Sequence, residues 1–147
     1  MEVIALPADA VRPLRQAVLR PHQRLEETAF PGDALPGAAH FGAREDGGAL
    51  LGVASVSPEP HPHAPAPGDW RIRGMATDPD GGRGRGAGAL LLRACLDHVR
   101  AAGGRRVWCN ARSPVRGFYE REGFAVEGDE FELPGIGPHF LMTLSVE

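Results

Sequence analysis

The chain has 147 residues, of which 42% are hydrophobic and 24% charged, and its net charge at neutral pH is −3. These values fit one folded domain over residues 1–147 and argue against a disordered tail or a basic nucleic-acid binder. No apolar run reaches the roughly 18 residues that a membrane helix needs, and the N-terminus lacks the basic and apolar regions of a signal peptide. A cytoplasmic protein without nucleic-acid or membrane partners is therefore expected.

The spacing of apolar residues predicts seven strands and about four helices. The predicted strands span residues 2–6, 38–45, 49–57, 70–77, 105–111, 124–133 and 139–146. The predicted helices span 9–19, 86–102 and 114–122, and residues 22–36 are irregular or a further short helix. The central strand–helix–strand unit implies a parallel pair joined by a right-handed crossover, with antiparallel hairpins on either side. The expected fold is α/β, with a mixed, mostly antiparallel sheet.

Two cysteines and two histidines are candidates for further chemistry. Cys95 falls on the apolar face of a predicted helix and Cys109 in a predicted buried strand, so both are expected to be core residues in a reducing compartment. His61 and His63 lie in a loop with five prolines. A lone histidine pair in such a loop is usually solvated, and no metal is expected.

The most informative stretch is a glycine-rich basic turn, Arg83-Gly84-Arg85-Gly86-Ala87-Gly88, which runs directly into an apolar helix. The first N–H groups of a helix have no partner within the helix and carry partial positive charge, which favours an anion. Glycines let a bulky anion approach the backbone, and an arginine can bind a phosphate through two parallel hydrogen bonds. The turn therefore predicts a phosphate or pyrophosphate site.

Two nucleotide-binding motifs do not fit this turn. A P-loop requires a lysine at the start of the helix, and the chain contains none. A dinucleotide fingerprint can be aligned as Gly84-x-Gly86-x-x-Ala89, but it requires an acidic residue at the end of the next strand to hold the ribose. That strand ends in Trp108-Cys109-Asn110-Ala111-Arg112, without an acid. From the turn alone, a glycine-rich turn without a ligand remains an alternative.

Two elements together resemble the GNAT superfamily of N-acetyltransferases. Arg83-x-x-Gly86-x-Gly88 matches the family's Arg/Gln-x-x-Gly-x-Gly/Ala element and follows a strand that ends Met75-Ala76-Thr77. Further along, Phe118-Tyr119-Glu120-Arg121-Glu122-Gly123-Phe124 is similar to the family's Phe-Tyr-x-x-x-Gly-Phe element. The resemblance covers roughly residues 40–132. The closing Gly135-Ile136-Gly137-Pro138-His139 segment resembles the end of a subgroup of small bacterial acetyltransferases.

The resemblance implies that acetyl-CoA is the cosubstrate and that it lies where two parallel strands, 70–77 and 105–111, splay apart. The first strand would pair with the pantetheine amides, and the glycine turn would hold the pyrophosphate. Asn110 is the residue available for the role of the family's asparagine, whose own position here holds Arg112. The implied cofactor-binding residues are Met75, Ala76, Thr77, Arg83, Gly84, Arg85, Gly86, Ala87, Gly88 and Asn110.

Tyr119 is the only tyrosine and stands at the position of the family's proton donor. A phenol has a pKa of about 10, above the value of about 8.5 for a thiol, so it stays protonated at neutral pH and can serve the leaving thiolate. The alternative is an aromatic core residue that only touches the coenzyme. The general base remains open among Glu26, Glu27, Glu45, His40 and His139, and a water chain or a neutral amine would need none. The candidates for the acceptor site are Glu27, His40 and His139.

The resemblance thus implies transfer of an acetyl group to the primary amine of a small molecule, by direct attack in a ternary complex. The alternative is a CoA-binding sensor or partner module without significant turnover, and Tyr119 favours the enzyme because a binding module needs no proton donor. Arg44, Arg71 and Arg73 are compatible with an acceptor that bears a carboxylate, although exposed arginines on strands are common. Dimerisation is frequent in the family, which leaves a homodimer open.

Overall fold

The computed structural model describes residues 1–81 and 84–147, whose strands form a single sheet. The strands are β1 (Glu2–Leu6), β2 (Ala39–Arg44), β3 (Leu50–Ser57), β4 (Asp69–Thr77), β5 (Arg106–Arg112), β6 (Ala125–Leu133) and β7 (Gly137–Ser145). Their order across the sheet is β1-β2-β3-β4-β5-β7-β6. β4 and β5 run parallel, whereas the other neighbours are antiparallel. The predicted mixed sheet is confirmed, and the strand bounds agree with the prediction to within two residues.

The helices are α1 (Arg12–Leu14), α2 (Ala87–Ala101) and α3 (Arg116–Arg121), and 3₁₀ turns lie at Ala8–Val11, Leu25–Thr28, Pro31–Ala34 and Ser113–Val115. The prediction of one continuous helix over 9–19 is wrong, because a 3₁₀ turn, α1 and a π turn (Arg15–Leu19) follow one another. Pro13 offers no N–H to a regular helix, and the π turn ends where the N–H of Arg20 is shared between two carbonyl groups. None of the described helices is long and apolar enough to cross a membrane.

The main core lies between α2 and one face of the sheet. Leu91, Leu92, Cys95 and Val99 recur at helical spacing on α2 and are fully buried. Cys95 and Cys109 are both buried free thiols, as the sequence predicts. Burial raises the pKa of each thiol to about 12, so both remain protonated at neutral pH.

The opposite face of β3 and β4 is covered by the N-terminal segment, residues 8–19. Val11 packs there against Val53 and Ala76. Arg15 from the same segment is fully buried and donates two hydrogen bonds to the carboxylate of Asp33, at 2.7 and 2.8 Å. Burial alone would raise the pKa of Asp33, but the hydrogen bonds from Arg15 hold it below its usual range. This buried ion pair joins the N-terminal segment to the 3₁₀ turn at Pro31–Ala34.

The parallel strands β4 and β5 are paired over only three positions. Asp69–Arg71 of β4 lie opposite residues 106–108 of β5. Beyond them β4 continues beside β3 and β5 beside β7. Between Arg73 and Ala76, β4 carries one residue more than the facing part of β3, which makes a bulge at Gly74, where φ is +65°. The sheet therefore opens between its two halves.

The proline-rich loop before β4 is held by a buried carboxylate and a buried histidine. Asp69 accepts hydrogen bonds from the N–H groups of His61 and Ala66 and from the guanidinium of Arg106. Nδ1 of His61 accepts the N–H groups of residues 63 and 64, so its Nε2 donates to the carboxylate of Glu127 at 2.9 Å. The expectation that both histidines are solvated is wrong for His61. Its side chain is buried, and its hydrogen bonds fix the loop.

We expect Asp69→Asn to destabilise the protein at neutral pH, since the amide replaces an acceptor of four N–H groups with a group that also donates. Burial would raise the pKa of Asp69, but these hydrogen bonds lower it to about 2. The carboxylate therefore stabilises the folded state above the unfolded pKa of about 3.9, and this contribution is lost as the pH falls towards 2.

Urea unfolding between pH 7 and pH 3 measures this effect. The free energy of unfolding should fall by about 1–3 kcal/mol at pH 7, and the gap to the native chain should narrow below pH 4. Asp97→Asn is the matched control, because its exposed carboxylate lies 3.6 Å from Arg100 on the surface of α2. A gap that is constant with pH would contradict the assignment.

Candidate active site

A cleft of about 760 Å³ lies where β4 and β5 separate. Its walls come from the second half of β4, the end of β5, the start of α2, α3 and the N-terminal segment. The predicted site residues that line it are Met75, Thr77, Gly84, Gly86, Ala87, Gly88, Asn110, Tyr119 and His139. Sequence positions more than sixty residues apart thus share one cavity.

The N-terminus of α2 faces this cleft, and no side chain among the described residues caps it. Gly86 is the N-cap residue, with φ of +82°, and its carbonyl accepts the N–H of Leu90. The N–H groups of Ala87, Gly88 and Ala89 precede that bond and have no partner within the helix. A Cβ at Gly86 would meet no atom within 4 Å, so the backbone here is open to a ligand. The arrangement supplies three N–H donors and the positive end of a 15-residue helix.

Three of the predicted cofactor-binding residues are absent from the described lining of the cleft. Ala76 is buried against Val11 and Val53, on the face of β4 that carries the N-terminal segment. Arg85 forms an ion pair with Glu45 and donates to the carbonyl of Gly81. Both partners of that ion pair are half exposed, so the pair contributes little to stability. Arg83 lies outside the described residues.

Tyr119 lies both in the core and on the cleft. Its residue is 6% exposed, and its ring packs edge-on against Phe118 and Phe124, with centroids 5.1 and 5.4 Å away. Its hydroxyl makes no hydrogen bond to any described residue. Burial, together with the neighbouring Cys109 and Cys95, raises its pKa well above 10. The hydroxyl therefore keeps its proton across the neutral range and is free to donate it to a ligand.

His139 lies opposite Arg112 on β7 and also lines the cleft. Its Nδ1 donates to the carbonyl of Gly137 at 2.7 Å, and its ring stacks on Phe131. Because Nδ1 carries the proton, Nε2 of the neutral ring has a lone pair and can accept a proton. Within the described part of the chain, Nε2 has no hydrogen-bond partner. The side chain is therefore held in the tautomer that a base requires.

The other two acceptor-site candidates lie outside the cleft. Glu27 is on the surface and pairs with Arg24 at 2.8 Å. His40 is buried, and its Nε2 donates to the carbonyl of Asp33 at 3.3 Å. The Ser55 hydroxyl, which accepts a hydrogen bond from Arg15, is 2.7 Å from Nδ1 of His40. His40 thus belongs to the polar network around Arg15, with both ring nitrogens occupied.

The structure adds Arg20, Phe30 and Arg112 to the site, beside Arg71 and Arg73, which the sequence already suggested for an anionic acceptor. Arg44, suggested with them, pairs with Glu2 and lies outside the cleft. Arg20 and Arg112 line the cleft together with Arg71 and Arg73, and we call these four residues the arginine cluster. Phe30 lies against Arg73, and the central guanidinium carbon of Arg73 is 4.0 Å from the centroid of the Phe30 ring. Alternation along β4 places Arg71 and Arg73 on one face, which was a usable signal. Arg20, Phe30 and Arg112 carry no local signal, because only the tertiary fold brings them there.

Comparisons with known proteins agree with this geometry. The profile of the acetyltransferase (GNAT) family matches residues 8–124. An uncharacterized N-acetyltransferase of Bacillus subtilis, YitI, is 36% identical over 143 residues, which cover 97% of this chain and 94% of the relative.

Solved structures share the fold at low sequence identity. ElaA of Escherichia coli has a TM-score of 0.76 at 18% identity, over 97% of both chains. An aminoglycoside 6′-N-acetyltransferase solved with coenzyme A has a TM-score of 0.74 at 13% identity, over 100% of this chain and 98% of the other. The family profile and the Bacillus relative, together with a sheet that splays between β4 and β5, show that the chain belongs to the GNAT family of acetyltransferases.

Proposed function

We propose that this protein transfers the acetyl group of acetyl-CoA to the primary amine of a small molecule, by direct attack in a ternary complex. The observation that carries the proposal is the uncapped N-terminus of α2, which opens onto the same cleft as Tyr119 and His139. A phosphate-binding helix end and two proton-transfer groups on one cavity are what acyl transfer from a phosphorylated carrier requires. The free thiols of Cys95 and Cys109 support a reducing, cytoplasmic setting.

The described residues fit coenzyme A. The N–H groups of Ala87, Gly88 and Ala89 suit its pyrophosphate, and the glycines leave room for close approach. Beyond Arg71, the edge of β4 on the β5 side pairs with no strand of the described residues, so its backbone groups near Met75 are available to the pantetheine amides. The related fold of the aminoglycoside acetyltransferase, which was solved with coenzyme A, supports this placement.

When bound, acetyl-CoA supplies an activated acyl group. His139 accepts a proton on Nε2 from the attacking amine, since its Nδ1 is fixed as a donor to Gly137. A backbone N–H of β4 near Met75 stabilises the negative charge that develops on the carbonyl oxygen. Tyr119 donates its hydroxyl proton to the sulfur as the carbon–sulfur bond breaks. The new carbon–nitrogen bond leaves an amide and a free thiol. His139 then returns the proton it gained to the Tyr119 phenolate through solvent, which closes the proton balance.

The state of Cys109 favours direct transfer over a covalent route. Cys109 lines the cleft, so acylation of its sulfur would be the obvious two-step alternative. Burial raises the pKa of its thiol to about 12, which leaves almost no thiolate at neutral pH. A protonated thiol is a poor nucleophile, and the amine therefore attacks without an acyl-enzyme stage.

Gly86→Ala should weaken acetyl-CoA binding by about tenfold or more, because the added methyl group enters the space at the helix N-terminus. Gly128→Ala is the matched control. Gly128 also has a positive φ, +76°, and also has open space at its Cβ, but it lies on β6, outside the cleft. Calorimetric titration with acetyl-CoA, and with NAD and ATP as competitors, measures the effect. Equal losses in both variants would indicate backbone strain rather than a binding site.

Tyr119→Phe removes one oxygen and keeps the packing against Phe118 and Phe124. We expect kcat to fall by about 10²-fold while the Kd for acetyl-CoA changes little, since the hydroxyl acts on the leaving sulfur rather than on binding. Release of free CoA thiol, measured with a chromogenic disulfide, follows the rate. Unchanged turnover would show that Tyr119 only packs. Tight binding of acetyl-CoA by the native chain without turnover of any amine would instead identify a binding module.

His139→Asn keeps a donor for the Gly137 carbonyl but removes the lone pair of Nε2. Turnover of a strongly basic amine should fall by about 10²-fold at neutral pH, because the ammonium no longer has a partner for its proton. A weakly basic amine, which arrives neutral, should lose much less. Initial rates with a series of amines of different basicity test this. Equal losses across the series would contradict a role in proton transfer.

A further inference from the structure

The cleft has a strongly unbalanced charge. Among the described residues that line it, none is acidic, whereas five are arginines: the arginine cluster and Arg121 of α3. The whole chain has a net charge of −3, so this concentration of positive charge is local. Guanidinium groups keep their charge at any physiological pH, and burying them near one another costs free energy unless an anion compensates them.

The members of the arginine cluster lie within electrostatic reach of one another. Burial, with the positive charges of Arg71, Arg15 and Arg20, lowers the pKa of Arg73 to about 10 against an opposing effect of Glu59. Burial and the positive charge of Arg112 likewise lower the pKa of Arg20. The four guanidiniums therefore create a shared positive field rather than four separate surface charges.

The described residues offer this field little compensation. Arg71 has one carboxylate nearby, that of Glu59 at 3.7 Å, and its own Nε is buried without a hydrogen-bond partner. Arg73 makes no ion pair within the described part of the chain. Arg20 and Arg112 both donate to the carbonyl of Leu19, which is neutral. Donor N–H groups thus remain available for a ligand.

Arg73 is held in place by stacking rather than by a carboxylate. The ring of Phe30 packs against two guanidiniums, and its centroid lies 4.2 Å from the central carbon of Arg15 and 4.0 Å from that of Arg73. Arg15 is fixed by its buried ion pair with Asp33. A stacked guanidinium keeps the N–H groups at its edge free for hydrogen bonds in its own plane. Such a side chain is ready to bind a planar or tetrahedral oxyanion.

We infer that the acceptor amine carries an oxyanion group, a carboxylate or a phosphate, which binds to the arginine cluster while the amine reaches the thioester. The inference rests on the proposed function and narrows its substrate class. The same positive field disfavours a polycationic acceptor.

The coenzyme's own phosphates do not account for the two arginines of β4, Arg71 and Arg73. The N-terminus of α2 follows the C-terminal end of β4, whereas Arg71 lies six residues earlier on that strand, about 20 Å away at the usual rise of a strand. Arg71 and Arg73 therefore lie well before the end of β4 that leads to the pyrophosphate site. This leaves these two arginines for the second substrate.

Matched pairs of amines test the inference. We would compare L-phenylalanine with 2-phenylethylamine and O-phosphoethanolamine with ethanolamine, and include spermidine as a polycation. Release of free CoA gives kcat/KM for each amine. The anionic member of at least one pair should be preferred by about tenfold or more, as expected for charge-assisted hydrogen bonds. Which pair shows the preference tells carboxylate from phosphate.

Arg73→Gln should remove most of that preference and leave the Kd for acetyl-CoA unchanged. Arg73→Lys keeps the charge without the planar donor pair and should retain part of the preference. Arg93→Gln changes the net charge by the same amount on the exposed side of α2, where Arg93 pairs with Glu122 at 3.4 Å. This control should behave as the native chain.

A preference for neutral or cationic amines, or a preference that Arg73→Gln does not alter, would overturn the inference. A parallel loss of acetyl-CoA binding in Arg73→Gln would overturn it as well, by assigning the cluster to the coenzyme. If no amine is acetylated, the proposed function fails on its own. Calorimetric titration of the CoA-saturated protein with the same pairs then decides the inference: binding of an anionic member alone supports it, and binding of neither member of each pair refutes it.

Discussion

The cleft depends on the separation of β4 from β5 beyond Arg71. In the separated part, β4 has a bulge at Gly74, and the guanidinium of Arg15 packs against it. A Cβ at Gly74 would lie 2.6 Å from Nε of Arg15, so the close approach requires glycine. Burying a guanidinium is tolerated only with a well-aligned partner, and the bidentate carboxylate of Asp33 supplies it. One ion pair therefore fixes a wall of the active site.

The same ion pair couples the fold to the chemistry proposed for the cleft. The guanidiniums of Arg15 and Arg73 both pack over the ring of Phe30. The segment before β2, irregular apart from two 3₁₀ turns, thereby acquires a defined surface toward the cleft. Because acceptor specificity in this proposal depends on that surface, a fold-stabilising contact and a substrate-selecting contact share one aromatic ring.

Short-range sequence patterns predicted those parts of the site that come from one continuous stretch of the chain. The uncapped start of α2 follows from the glycines around Gly86, and the strands follow from short-range alternation. The role of His40 could not be predicted, because its partners Ser55 and Asp33 come from other elements. The proline-rich loop was misjudged for the same reason: composition indicates a solvated loop, whereas the buried Asp69 gives it a fixed structure.

Net charge was also a poor guide to the site, since an acidic chain lines its cleft with arginines. Their positive field has a second consequence for the proposed reaction. Positive neighbours lower the pKa of an ammonium group, because they disfavour its charged form. An acceptor whose anionic group binds near Arg73 brings its amine into that field, which favours loss of the proton that His139 accepts. The arginine cluster would then bind the anionic group of the acceptor and lower the pKa of its amine. His139 would accept the proton more readily, because less free energy is needed to deprotonate the amine.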